Sequence, residues 1–212
     1  MPSPVAHCLA GFIVHAASAP ERDLGWRRRT LVTVAAAIAP DLDLVLKQFD
    51  LAVHQGASHS VGAALLAGAA VAALAAVLRW PRAVALGLAA VLGWSSHILL
   101  DLLNLDTHPP IGLMALWPLS TAFYKVPWPI FMDIGRTLDW KTVRHDALAL
   151  AWEAALLCPL LVLTWRARTA RGRCSWPAGS RASRWPTRRR RRSRRSPCAA
   201  TSCRPTRNGC SP

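Results

Sequence analysis

Seven ionisable side chains stand in or beside apolar stretches of this sequence: His7, Asp41, Asp43, His54, His59, His97 and Asp101. Groups of this kind are costly among apolar helices and by default mark a functional site. Neutral imidazoles and carboxylates together are the ligand set of zinc, manganese or ferrous iron. Their spacing fits that chemistry. His97 and Asp101 are four residues apart, so on a helix they share one face, a turn apart. Asp41 and Asp43 follow Pro40 and can turn two carboxylates toward one point. His54 and His59 bracket Gln-Gly-Ala-Ser, and Gly56 permits the bend that would bring both rings together.

Four histidines and three aspartates exceed one tetrahedral zinc. They suit two metals, or one metal with further carboxylates orienting the histidines. The implied chemistry is hydrolysis. A water acidified by the cation attacks, and an unligated carboxylate, Asp43 or Asp101, takes the proton. Other polar residues read more plainly. Ser60 is a helix N-terminal residue. His15 has no partner on its level and is structural. His108 belongs to a loop, His145 and Asp146 precede a helix at the interface, and Glu153 faces the bundle interior in a hydrogen bond. Trp117, Phe123, Tyr124, Trp128, Phe131 and Trp140 read as an interfacial belt and loop packing.

The elements that position these groups are apolar runs. Val61–Leu78 is 18 residues without charge, and nine of them are alanine. Ala83–Leu100 is uncharged and continues apolar to Leu103 apart from Asp101, and Ala147–Trp165 is broken only by Glu153. Such lengths read as transmembrane helices. Two shorter runs precede them, Val5–Ala19 and Thr30–Pro40. The reading is an all-α integral membrane bundle of about five helices. The competing readings are a soluble helical bundle, and a first run that is a signal peptide cleaved after Ala19.

If the five helices alternate in direction, the start of the first, the end of the second, the start of the third and the end of the fourth share one membrane face. All seven candidates lie at those ends. The other face receives the 20–29 and 79–82 loops and the C-terminus. Lys and Arg then divide 21 to 5 in favour of that second face, or 6 to 5 without residues 166–212. The positive-inside rule makes it, and the tail, cytoplasmic.

The net charge of +15 belongs to one segment. Residues 1–165 carry 11 basic and 11 acidic side chains, whereas residues 166–212 carry 15 Arg, no acid and no Leu, Ile, Val, Phe or Met. The division is therefore a membrane-embedded domain, 1–165, and a disordered Arg-rich tail, 166–212. A GC-rich gene read out of frame would give the same tail composition. A neutral folded part excludes a nucleic-acid-binding domain. Its two cysteines, Cys8 and Cys158, exclude a disulfide framework.

A histidine in the first run, PDLD at 40–43, HQGASHS at 54–60, SHILLDLL at 96–103, and Gly112 followed by LWPLS at 116–120 form an ordered set. The set resembles the membrane-bound metal-dependent hydrolase family, which includes the LexA-regulated inner-membrane proteins similar to YdjM. The resemblance covers roughly residues 5–165. It implies a small multi-pass bacterial inner-membrane protein with His7, Asp41, Asp43, His54, His59, His97 and Asp101 as its metal site. Gln55 stands where the family pattern has Arg, and Ser58 where it has Thr. Ser58 keeps a hydroxyl, whereas Gln55 removes a cation that would hold an anionic substrate group.

The expected function is metal-dependent hydrolysis of an ester or phosphoester, lipid-derived by virtue of location, with one or two zinc or manganese ions. The expected partners are the bilayer and a small-molecule or lipid substrate. The alternatives are a non-enzymatic metal-binding or transport protein and a membrane scaffold that acts through its tail.

Overall fold

The computed structural model describes residues 1–18, 25–47, 49, 54–107, 109–135, 137 and 139–174. They fall within one compact unit, Met1–Trp176; residues 177–212 form a second unit outside the described residues. His108 and all of the Arg-rich segment beyond Cys174 also lie outside them.

Every regular element among the described residues is helical. The order is α1 (Pro4–Ser18), α2 (Trp26–Ile38), a 3-10 turn (Ala39–Leu42), α3 (Asp43–Lys47), a second 3-10 turn (Ala57–His59), α4 (Val61–Val77), α5 (Ala83–Leu102) and α6 (Trp140–Cys174). The five long helices occupy the five apolar runs, with shifted ends. α2 begins at Trp26, ahead of Thr30, because Arg27, Arg28 and Arg29 are good helix formers despite their charge. Pro40 has no N–H to donate back to Ala36, so the α-helical ladder stops and the chain tightens into the 3-10 turn carrying Asp41. Ser60 accepts from the Ala63 N–H at 3.0 Å and caps α4, as its position implied.

α6 departs furthest from composition. It starts ahead of Ala147, taking in His145 and Asp146, and runs past Trp165 to Cys174. Arg168, assigned by composition to the tail, donates to His15 Nε2 at 3.2 Å. Residues 166–174 are thus part of the helix rather than of a disordered segment. His15 is structural as expected, yet it does have partners on its level, with Thr30 Oγ1 at 3.0 Å as well. Glu153 is buried and accepts from Ser3 N at 2.8 Å and from Ser3 Oγ.

α5 is the central element. α1, α2 and α4 pack on it, and α6 packs on α1. α2 and α5 run parallel, because the Thr33 carbonyl lies against Gly93 and the Ala37 carbonyl against His97. A Cβ at Gly93 would collide with that Thr33 oxygen, so the close approach requires glycine there. One apolar cluster joins Ala6, Ala10, Leu100, Phe131 and Leu157, and another joins Ala64, Ile98, Leu113 and Ala115. Phe131 is therefore a core residue, while Trp128 and Trp140 are exposed.

The interior holds alanine, histidine and aspartate beside Leu86, Ile98, Leu100, Leu113 and Leu157, while Leu31, Leu66, Val77, Val84 and Leu163 point outward. Two helices, α5 and the Trp140–Ala170 part of α6, are long and apolar enough to cross a membrane. α1 and α4 are apolar but only 15 and 17 residues long, and α2 has 13.

Candidate metal centre

The four helix ends and two short turns meet as alternation requires, and all seven candidate side chains come together. His7 enters from the first turns of α1, Asp41 from the turn after Pro40, and Asp43 from the start of α3. His54 precedes the second 3-10 turn and His59 ends it, and His97 and Asp101 project from one face of α5. Three overlapping sets have the spacing to hold an ion: His7, His97 and Asp101; Asp41, His59 and His97; and Asp43, His54 and His59.

The centre has an inner and an outer layer. In the inner layer, His59 Nε2 and His97 Nε2 are 3.1 Å apart. Asp101 Oδ2 is 3.1 Å from His97 Nε2 and 3.3 Å from His59 Nε2. Asp41 Oδ1 is 3.6 and 3.8 Å from the same two atoms. Donors held about 2.0–2.1 Å from one tetrahedral ion are separated from each other by about 3.4 Å. The spacing is thus that of atoms arranged around a point. His7 lies beside it, with its ring stacked on His97 at 3.8 Å between centroids and its Nε2 3.6 Å from Asp101 Oδ1.

Five atoms of the centre lack a hydrogen-bond partner. Both nitrogens of His7, both carboxylate oxygens of Asp101 and Asp41 Oδ1 are buried without a hydrogen bond. Burying such groups unpaired costs several kcal/mol unless a cation compensates them, roughly 3–5 kcal/mol for one uncompensated charge. The donor chemistry and the orphaned atoms both fit a divalent ion.

The outer layer fixes the inner one. His97 Nδ1 donates to the Ala37 carbonyl at 2.8 Å. A carbonyl only accepts, so Nδ1 carries the proton and Nε2 presents its lone pair to the centre. Asp43 occupies the equivalent place for the other histidines. Its Oδ1 is 2.7 Å from His54 Nδ1, its Oδ2 is 3.2 Å from His59 Nδ1, and Ser58 Oγ donates to Oδ2 at 2.6 Å. His54 Nε2 rests against the Met1 sulfur at 2.6 Å, so neither of its nitrogens faces the inner layer. Burial works against an ionised Asp43, but the hydrogen bonds from His54, His59 and Ser58 outweigh it and hold the carboxyl well below the usual carboxylate range. Burial likewise works against a charged His59. The carboxylates of Asp101, Asp41 and Asp43 around it prevail and raise it well above the usual imidazole range.

The geometry groups the seven candidates into three overlapping sets that share His59 and His97. It also shows residues that sequence reasoning missed. Ser58 is more than a hydroxyl retained: it binds Asp43, and its carbonyl accepts from Trp94 Nε1 at 2.8 Å. Gln55 is buried with φ of 64°. Its amide nitrogen donates to Gly112 O at 3.0 Å, Pro110 O at 3.2 Å and Asp106 Oδ2 at 3.1 Å. It ties down the 106–112 loop, which is a different task from meeting a substrate anion. Proximity to the histidine motif was the one signal for both. The Ala37 carbonyl has no side-chain signature at all.

A family description, YdjM inner membrane protein, matches residues 1–171. The chain belongs to the YdjM inner membrane protein family. No curated protein and no solved structure matches it. In this YdjM-family chain the match extends beyond Trp165, in keeping with the helical continuation of α6 and the Arg168–His15 contact. Membership and the apolar helices agree on an inner-membrane protein, and the buried His/Asp groups are able to hold a metal ion.

Proposed function

We propose that this protein is a multi-pass, metal-dependent hydrolase that cleaves an ester or phosphoester at one face of the inner membrane. The observation that carries the reading is the buried convergence of Asp41, His59, His97 and Asp101, with 3.1–3.8 Å between their donor atoms and carboxylate oxygens left unpartnered. These four are assigned as the direct ligands of one zinc or manganese ion, with His7 as a further donor. A neutral imidazole has a single lone pair. His59 turns Nδ1 to Asp43 and Nε2 to the inner atoms, so Asp43 orients His59 instead of sharing its ion. His54 steadies Asp43.

A bound divalent ion supplies Lewis acidity and a water acidified toward neutral pH. The chain supplies the rest. Ala37 and Asp43 hold the two imidazoles in the required tautomer. Asp101 Oδ1, the oxygen turned toward His7 Nε2, is assigned as proton acceptor. Asp43 has both oxygens engaged, by His54 on one side and by Ser58 and His59 on the other, so it is a positioning residue rather than the base.

The outward-facing Leu and Val side chains support a bilayer around the bundle, since water-soluble surfaces rarely carry so much contiguous apolar area. The site gathers at helix ends, which suits a substrate reached from the interface, a lipid or its headgroup ester. Transport sites usually lie near the midplane between repeats. The positive-inside rule assigns the arginine-bearing ends of α2 and α5, and the tail, to the cytoplasm.

The test is metal content of the detergent-purified full chain, beside His97→Ala and Asp101→Asn. About one transition metal per chain, lost in both variants, is expected. The loaded protein is then screened on ester and phosphoester substrates. A folded protein that takes up neither zinc nor manganese refutes the reading. A loaded protein that hydrolyses nothing in the screen favours a non-enzymatic metal-binding role.

A further inference from the structure

The ends of α2 and α5 remote from the metal centre enclose a second feature. A cleft there is lined by Arg28, Arg29 and Arg82 around a floor of Pro81, Ala85 and Leu86. It continues past Trp26 and Arg27. Arg29 lies eight residues, about 12 Å, down α2 from Ala37, and Leu86 eleven residues, about 16 Å, down α5 from His97, so the cleft opens at the far ends of both parallel helices.

Arg29 is buried, and its Nε has no hydrogen-bond partner, while its terminal nitrogen is held by the Ser18 carbonyl at 3.2 Å. A buried guanidinium donor without an acceptor is costly and points to an absent anion. Arg28 stacks over Trp80 at 4.9 Å, and Arg27 lies over Trp26 at 5.9 Å. These contacts orient the guanidinium groups without neutralising them. The positive end of the α2 dipole opens on the same cleft.

Charge alone would fit any phosphate. The floor narrows the choice, because it is apolar and open beside outward-facing Val84 and Leu88. An inorganic phosphate leaves that floor bare, whereas an amphiphile covers it with glycerol and acyl chain. Tryptophans and arginines together are also the residues favoured at a membrane–water interface. We propose that this cleft is a binding site for the phosphate headgroup of one anionic phospholipid, at the membrane face opposite the metal centre.

The test uses the full chain in detergent, with phosphatidylglycerol, phosphatidylcholine and inorganic phosphate as probes, read as lipid adducts by native mass spectrometry and as shifts in Tm. Arg28 and Arg82 are exposed, so an Arg28→Gln/Arg82→Gln variant keeps the fold. Arg189→Gln/Arg190→Gln, in the tail, removes equal charge elsewhere. One phosphatidylglycerol per chain is expected, weakened about tenfold or more in the cleft variant, as loss of charge-assisted hydrogen bonds implies, and unchanged in the tail variant. Equal retention of phosphatidylcholine overturns the proposal, as does equal weakening in both variants. A Tm shift from inorganic phosphate that matches the lipid's assigns the cleft to a soluble anion and overturns the lipid assignment. None of these readouts needs the metal or its chemistry.

Discussion

Replacing Asp43 by Asn separates the orienting role from the ligating one. The side chain keeps its size, and its oxygen can still accept from His54 Nδ1, now 2.7 Å away. The other position becomes an NH2 group facing Ser58 Oγ and His59 Nδ1. His59 must then accept at Nδ1 and carry its proton on Nε2, the atom that points at Asp101 and His97. The protein must return that proton to Nδ1 against an unfavourable contact before Nε2 can ligate. Loss of such an orienting partner lowers metal affinity roughly 10–100-fold, which is about 1.4–2.7 kcal/mol. Asp101→Asn removes a donor outright. A quarter of a four-ligand site's roughly 10–16 kcal/mol is about 2.5–4 kcal/mol, a loss of roughly 70- to 1,000-fold. Competition titration with a chromophoric chelator gives affinity and stoichiometry together. The expected result is one ion per chain in the wild type and in Asp43→Asn, bound more weakly in the variant. Two ions in the wild type, with one lost in Asp43→Asn, would refute the single-ion assignment. Unchanged affinity in Asp43→Asn would refute the orienting role.

Further outcomes follow from packing and caps. Gly93→Ala places a methyl group against the Thr33 carbonyl and forces α2 from α5, costing about 1–3 kcal/mol by thermal unfolding and weakening metal binding through the displaced Ala37–His97 hydrogen bond. Glu153→Ala leaves the buried Ser3 N–H without its acceptor and should cost about 1–3 kcal/mol while metal stoichiometry stays the same. Asp139 caps α6 by accepting from the Lys141 and Thr142 N–H groups at 2.9 and 3.0 Å. The Thr137 hydroxyl, with these backbone donors, holds its carboxyl well below the usual carboxylate range. A depressed carboxyl stabilises the fold above its unfolded pKa of about 3.9 and loses that effect as pH falls toward its folded value. Asp139→Ala should therefore lower Tm at pH 7, with the gap to wild type closing below about pH 4.

The convergence of the seven side chains was legible because alternating helices carry position information that survives imprecise boundaries. His97 and Asp101 needed only a helical turn, and His7, Asp41 and His59 needed only to lie at the correct ends. Which imidazole nitrogen faces inward was not legible, because it is set by a backbone carbonyl at Ala37 and by the side-chain rotamers of Asp43 and His54. The extent of α6 was hidden for another reason. Composition changes at Trp165, but Arg is a strong helix former, and Arg168 finds His15 inside the bundle. Phe131 looked interfacial because nothing in an irregular segment reveals that its backbone pairs with Asn104 and draws the ring into the core.

The parallel pairing of α2 with α5 constrains how the chain can change in length. Gly93 under Thr33 and His97 under Ala37 put the two helices in phase over a single turn. One residue inserted between Gly93 and Asp101 would advance the phase by about 100° and carry Asp101 out of the cluster. Four inserted residues would nearly restore the phase yet displace it about 6 Å along the axis. Insertions and deletions should therefore be excluded from 33–41 and 93–101 and gather in the connections at 19–25 and 105–139, which carry none of the seven clustered side chains.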